Sequence, residues 1–153
     1  MIAAIAGCGK VGDVYRTREA SLVALGRMLF FDAALSADGT VSCASCHRPD
    51  RAYSDGLARA AGTGGRQGAR NAPSLLDVAL QRTLFWDGRR TRLEDQALDP
   101  LLNEVEHGLV DEAQLLARLR ASPRTLAAFA AAFGPVAPPG RIRTQRRRPR
   151  SHW

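Results

Sequence analysis

The stretch Ser42-Cys43-Ala44-Ser45-Cys46-His47 determines how the rest of the chain is organised. Cys-x-x-Cys-His is the pattern that attaches c-type haem, because its two thiols can add to the two vinyl groups of one haem. The histidine that follows then offers an imidazole nitrogen to the iron. Cys43, Cys46 and His47 are therefore the predicted cofactor-binding residues, and His47 is the predicted ligand of the haem iron.

Two other chemistries also use paired cysteines. A structural zinc site needs four ligands, and beyond the motif the chain offers only Cys8, His107 and His152, none at the spacing of a zinc site. A redox-active dithiol would follow a strand, and no strand pattern precedes Cys43. Haem attachment is favoured over both alternatives.

The composition favours one globular domain with a basic end. The chain has 153 residues, 45% of them apolar, which suits a single core, and no apolar run is long enough to span a membrane. Six of the arginines that produce the net charge of +7 lie in 141–153, which contain no acid, so residues 1–140 sum to +1. Residues 139–153 are interpreted as a basic, disordered tail, and nucleic acid is not an expected partner.

The segment Ile5-Ala6-Gly7-Cys8 resembles the lipobox of bacterial lipoproteins. The apolar residues before Cys8 are too few for a complete signal peptide, so either the true start lies upstream or Cys8 is incidental. The first alternative makes residues 1–16 the remnant of a signal, with a lipid anchor at Cys8. Because c-type haem is attached outside the bacterial cytoplasm, a periplasmic location is expected.

Helical patterns and loops account for the rest of the chain. Helices are predicted at 17–31 capped by Thr17, at the haem motif, at 74–80 capped by Ser74, at 91–98 from a capping box, from Asp111 onward, and at 122–133 capped by Ser122. The glycine-rich residues 54–73 predict a loop that wraps the haem edge, with Arg59, Arg66 and Arg70 facing propionates or solvent. The predicted fold is mainly α, a cytochrome c-like helical domain at 17–138 around one covalently bound haem, with long irregular loops.

Several segments occur together in a characteristic order. They are Leu25-Gly26-Arg27-Met28-Leu29-Phe30-Phe31-Asp32, residues 35–40, the haem motif, Arg70-Asn71-Ala72-Pro73-Ser74-Leu75, Phe85-Trp86-Asp87-Gly88-Arg89 and Asn103-Glu104-Val105-Glu106-His107-Gly108. Over roughly residues 18–134 the chain thereby resembles the N-terminal haem domain of the bacterial di-haem cytochrome c peroxidases, and also the methylamine-utilisation di-haem enzymes. That family has a second haem domain, whereas here the composition changes around residue 141, which we interpret as truncation or a change of reading frame after the first domain.

The resemblance implies roles for individual residues. Cys43, Cys46 and His47 match the haem at which peroxide is reduced. Trp86 matches a tryptophan between the two haems, although a core aromatic is the alternative for any single tryptophan. Asn71 matches a side chain of a calcium site between the two domains, and its alternative is a turn asparagine.

Gln96 and Glu106 match the pair that lines the peroxide side of the haem. A carboxyl group there can move a proton from one peroxide oxygen to the other, and an apolar pocket would raise the pKa of Glu106 toward that task. Gln96 would orient peroxide by hydrogen bonding. The alternative for Glu106 is a solvated acid in an acidic loop.

Two departures from the family bear on the iron. The histidine that blocks this haem in peroxidases needing reductive activation would fall near Thr63, and no histidine lies between His47 and His107, which predicts an iron open without activation. His107 replaces the usual methionine beside Glu106, as a surrogate sixth ligand or as an ordinary loop histidine.

The resulting functional prediction is a haem peroxidase domain. It would reduce hydrogen peroxide to water with electrons from a small cytochrome c or cupredoxin, with calcium as a second cofactor and a homodimer as an expected assembly. The alternatives are a mono-haem electron-transfer protein and an inactive fragment.

Overall fold

Six α-helices make up most of the regular structure in the computed structural model, which describes residues 8–134, with side chains from residue 16 onward. They are α1 (Cys8–Phe30), α2 (Cys43–Cys46), α3 (Leu93–Gln96), α4 (Leu98–Leu102), α5 (Glu112–Ala121) and α6 (Pro123–Phe133), with 3-10 turns at Ala33–Leu35, Pro49–Arg51, Thr63–Gly65 and Val78–Leu80. Among these residues β pairing is limited to two isolated bridges, Ala61 with Gln67 and Leu84 with Arg90. The mainly α prediction is confirmed. No helix between residues 8 and 134 has both the length and the apolar character needed to cross a membrane.

A leucine cluster forms the core at one end of the molecule. Leu35, Leu109, Leu115 and Leu119 are buried there, surrounded by half-buried Leu29, Leu98, Leu101, Leu102, Leu116 and Phe129. Helix α1 packs along α6, and α5 packs against both α6 and the Ala33–Leu35 turn. This packing brings the segment before the haem motif, residues 33–41, against the second half of the chain.

Side-chain caps define the beginnings of α5 and α6, as the sequence predicts. Asp111 Oδ1 accepts a hydrogen bond from Gln114 N at 2.8 Å, and Ser122 Oγ accepts one from Thr125 N at 3.2 Å, with Pro123 as the first helical residue. Gly134 follows α6 with a φ of 86°, a conformation that glycine adopts without steric cost.

The first helix begins earlier than predicted. Helix α1 starts at Cys8, so Thr17 is not its cap but an interior residue whose carbonyl accepts a hydrogen bond from Ser21 Oγ at 2.9 Å. The predicted boundary between residues 16 and 17 therefore falls within one helix. Residues 1–7, the predicted basic tail at 139–153 and the side chain of Cys8, on which the lipid anchor depends, lie outside the described part.

Two other helix predictions were wrong in detail. Ser74 caps no helix: its Oγ donates to Ala52 O at 2.6 Å, and the helical turn is only Val78–Leu80. Arg92, rather than Thr91, precedes α3. Pro100 does not close that helix but lies in the first turn of α4, where its missing N–H would have had no helical partner.

Replacing the cap of α6 tests its contribution to stability. Ser122→Ala removes the acceptor of the Thr125 N–H, and we expect the free energy of unfolding to fall by about 1 kcal/mol. Ser122→Thr keeps a hydroxyl group and should therefore retain most of the stability that the cap provides. Denaturant titration of the two variants measures the difference, and equal midpoints would contradict the cap.

Candidate active site

The two cysteines of the haem motif lie on a single helical turn. In α2 they are three residues apart, so their sulfurs emerge on the same side, and Ser45 Oγ accepts the Ser42 N–H at 3.0 Å in front of the turn. Both cysteines are half-buried and not in a disulfide. Local hydrogen bonds thus present both thiols together.

The thiols of this pair are held in the protonated form. Burial raises the pKa of Cys43. Burial also raises the pKa of Cys46, to about 11, with the negative charges of Asp55 and Glu106 adding to the effect. Redox-active dithiols need a depressed thiol pKa, so this environment does not favour the dithiol alternative.

The imidazole of His47 is oriented by a backbone carbonyl. Nδ1 lies 3.0 Å from Tyr53 O, and because a carbonyl can only accept, Nδ1 carries the hydrogen and Nε2 has the free lone pair. Ala52 and Tyr53 both have left-handed conformations, with φ of 52° and 57°. Such strain is tolerated where surrounding contacts fix it, and here it directs the carbonyl toward the ring. This is the outer-shell arrangement of a metal-ligating histidine.

Other metal sites find no support among the described residues. Between residues 16 and 134 there is no group of three or more His, Cys, Asp or Glu side chains that could hold a metal ion. The donors at the motif are two thiols and one oriented imidazole, which fit a covalently attached haem with one axial ligand.

Glu106 lies within the turn 104–107 that follows α4. Asn103 Oδ1 accepts the N–H of Val105 at 2.9 Å and that of Glu106 at 3.2 Å. Burial raises the pKa of Glu106, while the positive charge of Arg89 opposes this increase and the negative charge of Asp99 adds to it. The negative charge of Glu106 in turn raises the pKa of Cys46 in the haem motif. Glu106 is half-buried, whereas its neighbour Glu104 is exposed.

Gln96 is the last residue of α3 and is half-buried. Helix α3 packs against α4, and α4 leads directly into the turn that carries Glu106. The predicted pair therefore lies on successive elements of the chain, Gln96 at the end of α3 and Glu106 in the turn after α4.

Arg89 is a charged neighbour of Glu106 that the sequence prediction missed. Its guanidinium lies over the Phe85 ring, 3.5 Å from the centroid, and contacts the carboxylates of Asp87 at 3.0 Å and Asp99 at 3.7 Å. These contacts hold in place a positive charge that lowers the pKa of Glu106 and so opposes the effect of burial. The family resemblance of the segment 85–89 assigns a role to Trp86 but none to Arg89.

Trp86 and Asn71 are brought together at the surface. Trp86 Nε1 donates to the carbonyl of Asn71 at 3.5 Å. The Trp86 side chain is 59% exposed, so the core-aromatic alternative is wrong, and Asn71 is exposed as well. The two residues that the resemblance assigns to an interdomain region share one exposed patch.

His107 lies in a loop, as one alternative held, but it is buried, with 4% of its surface exposed. Its Nδ1 donates to Leu35 O at 3.2 Å, and its carbonyl accepts the Ala37 N–H at 2.7 Å. Burial lowers its pKa, so it is neutral at neutral pH. His107 thus links the turn before the haem motif to the Glu106 segment.

Comparison with known proteins identifies the family. The profile described as "Di-haem cytochrome c peroxidase" matches residues 20–148. The chain is 42% identical over 118 residues to the methylamine utilization protein MauG of Methylorubrum extorquens, covering 77% of this chain and 33% of that protein. It is 39% identical over 111 residues to the cytochrome c peroxidase Ccp of Escherichia coli K12, covering 72% and 24%.

A solved structure agrees with these matches. The diheme peroxidase BthA from Burkholderia thailandensis E264 superposes with a TM-score of 0.68 at 36% identity, covering 75% of this chain and 33% of that one. The chain thus spans between a quarter and a third of the length of these relatives. By profile, sequence identity and structure, the chain belongs to the di-haem cytochrome c peroxidase family.

Proposed function

We propose that this chain is a haem c peroxidase domain that reduces hydrogen peroxide to water. The overall change takes up two electrons and two protons for each peroxide and gives two waters. The observation that carries the proposal is one loop that contacts both the haem motif and Glu106: Ala61 O lies 3.3 Å from Cys46 Sγ, and the Thr63 N–H donates to the carbonyl of the half-buried Glu106 at 3.0 Å. Electrons would come from a small cytochrome c or a cupredoxin.

Cys43 and Cys46 would hold the haem through two thioethers, and His47 would give Nε2 to its iron. The fit rests on the paired thiols of α2 and on the Nδ1–H bond to Tyr53 O. When bound, the haem supplies the redox chemistry by which the oxygen–oxygen bond of peroxide is reduced.

Glu106 would act as the general acid–base. Its carboxylate accepts the proton from one peroxide oxygen and returns it to the other, which leaves as water. Burial raises its pKa, so the protonated form is a weaker acid than an exposed glutamic acid and its basic form accepts the proton more readily. Gln96 would donate an amide hydrogen bond that orients the peroxide.

Trp86 and Asn71 would serve the contact with a further domain. An exposed indole beside an exposed asparagine supports an electron route through Trp86, and Asn71 would contribute to a calcium site completed from outside the described residues. A haem domain at 17–138, a periplasmic location, a lipid anchor at Cys8, a basic tail at 139–153 and a homodimer belong to the same proposal.

An absorption spectrum of the haem-loaded protein, before and after addition of hydrogen peroxide, tests the function. We expect a high-spin ferric spectrum that changes rapidly and stoichiometrically with peroxide. A low-spin spectrum indifferent to peroxide would indicate a filled sixth position and a mono-haem electron carrier. Absence of haem after expression with the maturation machinery would indicate an inactive fragment.

A further inference from the structure

The glycine-rich loop 61–66 lies against the backbone of the Glu106 segment. A Cβ on Gly62 would overlap the carbonyl oxygen of Val105, and it would lie 2.7 Å from Val105 C and 3.2 Å from the Cα of Glu106. Gly62 has φ −119° and ψ −169°, which any residue can adopt. Glycine is therefore required here by the close approach of two backbones and not by its own conformation.

Hydrogen bonds connect the same loop to the same segment. The N–H of Thr63 donates to Glu106 O at 3.0 Å, and Arg66 Nη1 donates to Glu104 O at 2.8 Å. The loop is closed on itself by a bond of 2.8 Å from Gly62 N to Arg66 O. Since Asn103 accepts the N–H of Glu106, both backbone polar groups of Glu106 are fixed.

The carboxylate of Asp38 anchors the loop from its other side. Its Oδ2 accepts the N–H of Gly64 at 2.8 Å, and its Oδ1 accepts the N–H and hydroxyl of Thr40 at 3.0 and 2.6 Å. These donors hold the pKa of Asp38 well below its usual range. The loop thus bridges the turn before the haem motif and the turn that carries Glu106.

The loop also contacts the haem motif itself. Cys46 Sγ lies 3.3 Å from the carbonyl oxygen of Ala61, one residue before Gly62. Cys46 and the backbone of Glu106 therefore contact the same loop, within the three consecutive residues 61–63.

From these contacts we infer that loop 61–66 positions the Glu106 carboxyl relative to the haem site, with Gly62 and Arg66 as positioning residues. The inference rests on the proposed function, because the loop acts through Glu106 and touches no substrate. Displacing a reacting group by about 1 Å can cost on the order of 100-fold in rate, so a loop that fixes this backbone affects turnover without taking part in the chemistry.

Gly62→Ala and Gly68→Ala form a matched pair in the haem-loaded protein. A Cβ on Gly68 meets its nearest atoms, Ala60 O and Arg70 O, at 3.5 Å, which is ordinary contact. We expect Gly62→Ala to slow the reaction with peroxide by about tenfold or more at unchanged haem content, and Gly68→Ala to keep the parent rate.

A double-mutant cycle with Glu106→Gln separates positioning from general damage. If the loop acts through Glu106, Gly62→Ala should slow the Glu106→Gln protein by less than about twofold, because coupled residues give non-additive effects. Equal slowing in both backgrounds would overturn the inference. An unchanged rate in Glu106→Gln alone would instead overturn the proposed role of Glu106.

Arg66 gives a second test that does not introduce a steric clash. Its side chain is exposed, so Arg66→Ala removes the bond to Glu104 O without opening the core. We expect Arg66→Ala to slow the reaction with peroxide in the parent protein but not in the Glu106→Gln background. Arg66→Lys keeps a hydrogen-bond donor and should recover part of the parent rate. Parent rates in both Gly62→Ala and Arg66→Ala would refute positioning by the loop.

Discussion

Glu106→Gln is expected to slow the reaction with hydrogen peroxide by a factor of about 10² to 10⁴, the usual contribution of a general acid–base group. The amide keeps the size of the side chain but cannot accept and return the proton. The haem content should not change, because Cys43, Cys46 and His47 are untouched. Rapid mixing of the haem-loaded protein with peroxide measures the rate directly.

The matched control for this variant is Glu112→Gln, which changes an exposed acid in the first turn of α5. It should react at the parent rate. An equal rate in Glu106→Gln would remove Glu106 from the mechanism.

The dependence of the parent rate on pH provides an independent check. Because burial raises the pKa of Glu106, its carboxylate form is lost on acidification at a higher pH than for an exposed glutamate. The rate should therefore fall as the pH decreases, and this decrease should be absent from the pH–rate profile of Glu106→Gln.

Replacing both cysteines of the motif is expected to abolish covalent haem. Cys43→Ala with Cys46→Ala leaves His47 as the sole motif residue that can hold the cofactor, and a single axial bond does not survive denaturation. Haem staining of the protein on a denaturing gel should show no band. Either single variant keeps one thiol and should retain a weaker covalent band.

Cys8→Ala is the control for the cysteine variants, since it removes the third cysteine of the chain without changing the motif. It should stain like the parent protein. Covalent haem that persists in the double variant would rule out Cys43 and Cys46 as the attachment site. Zinc that is present in the purified parent protein and absent from the double variant would support a zinc site instead.

Local chemistry explains which elements the sequence could predict. The haem motif forms the turn α2, and Asp111 and Ser122 cap their helices as expected, because each depends on residues only three or four positions away. Thr17 failed as a cap because the chain before it is also helical. Pro100 failed as a terminator because a proline is tolerated in the first turn of the next helix.

The arrangement of the site was less accessible from the sequence. The place of Glu106 beside the motif was expected only through the family resemblance. The contacts of Gly62 with Val105 and of Asp38 with Gly64 join residues 43 and 26 positions apart. No periodicity or motif encodes such pairs, although the unusual density of glycines in 62–68 did mark the segment.

The separation between local and distant contacts has a consequence for the order of assembly. The supports of the haem motif, from Ser42 to Tyr53, lie within a dozen residues of one another, and such short loops close fast. The hydrogen bonds that hold the second half of the chain against residues 33–41 join His107 to Leu35 and Arg118 to Ala34, which are 72 and 84 positions apart. Contacts between residues so distant in the sequence form late in folding. A nascent chain therefore presents the thiols of Cys43 and Cys46 and the imidazole of His47 on an accessible segment. The segment that carries Glu106 packs against it only after the rest of the domain has been synthesised.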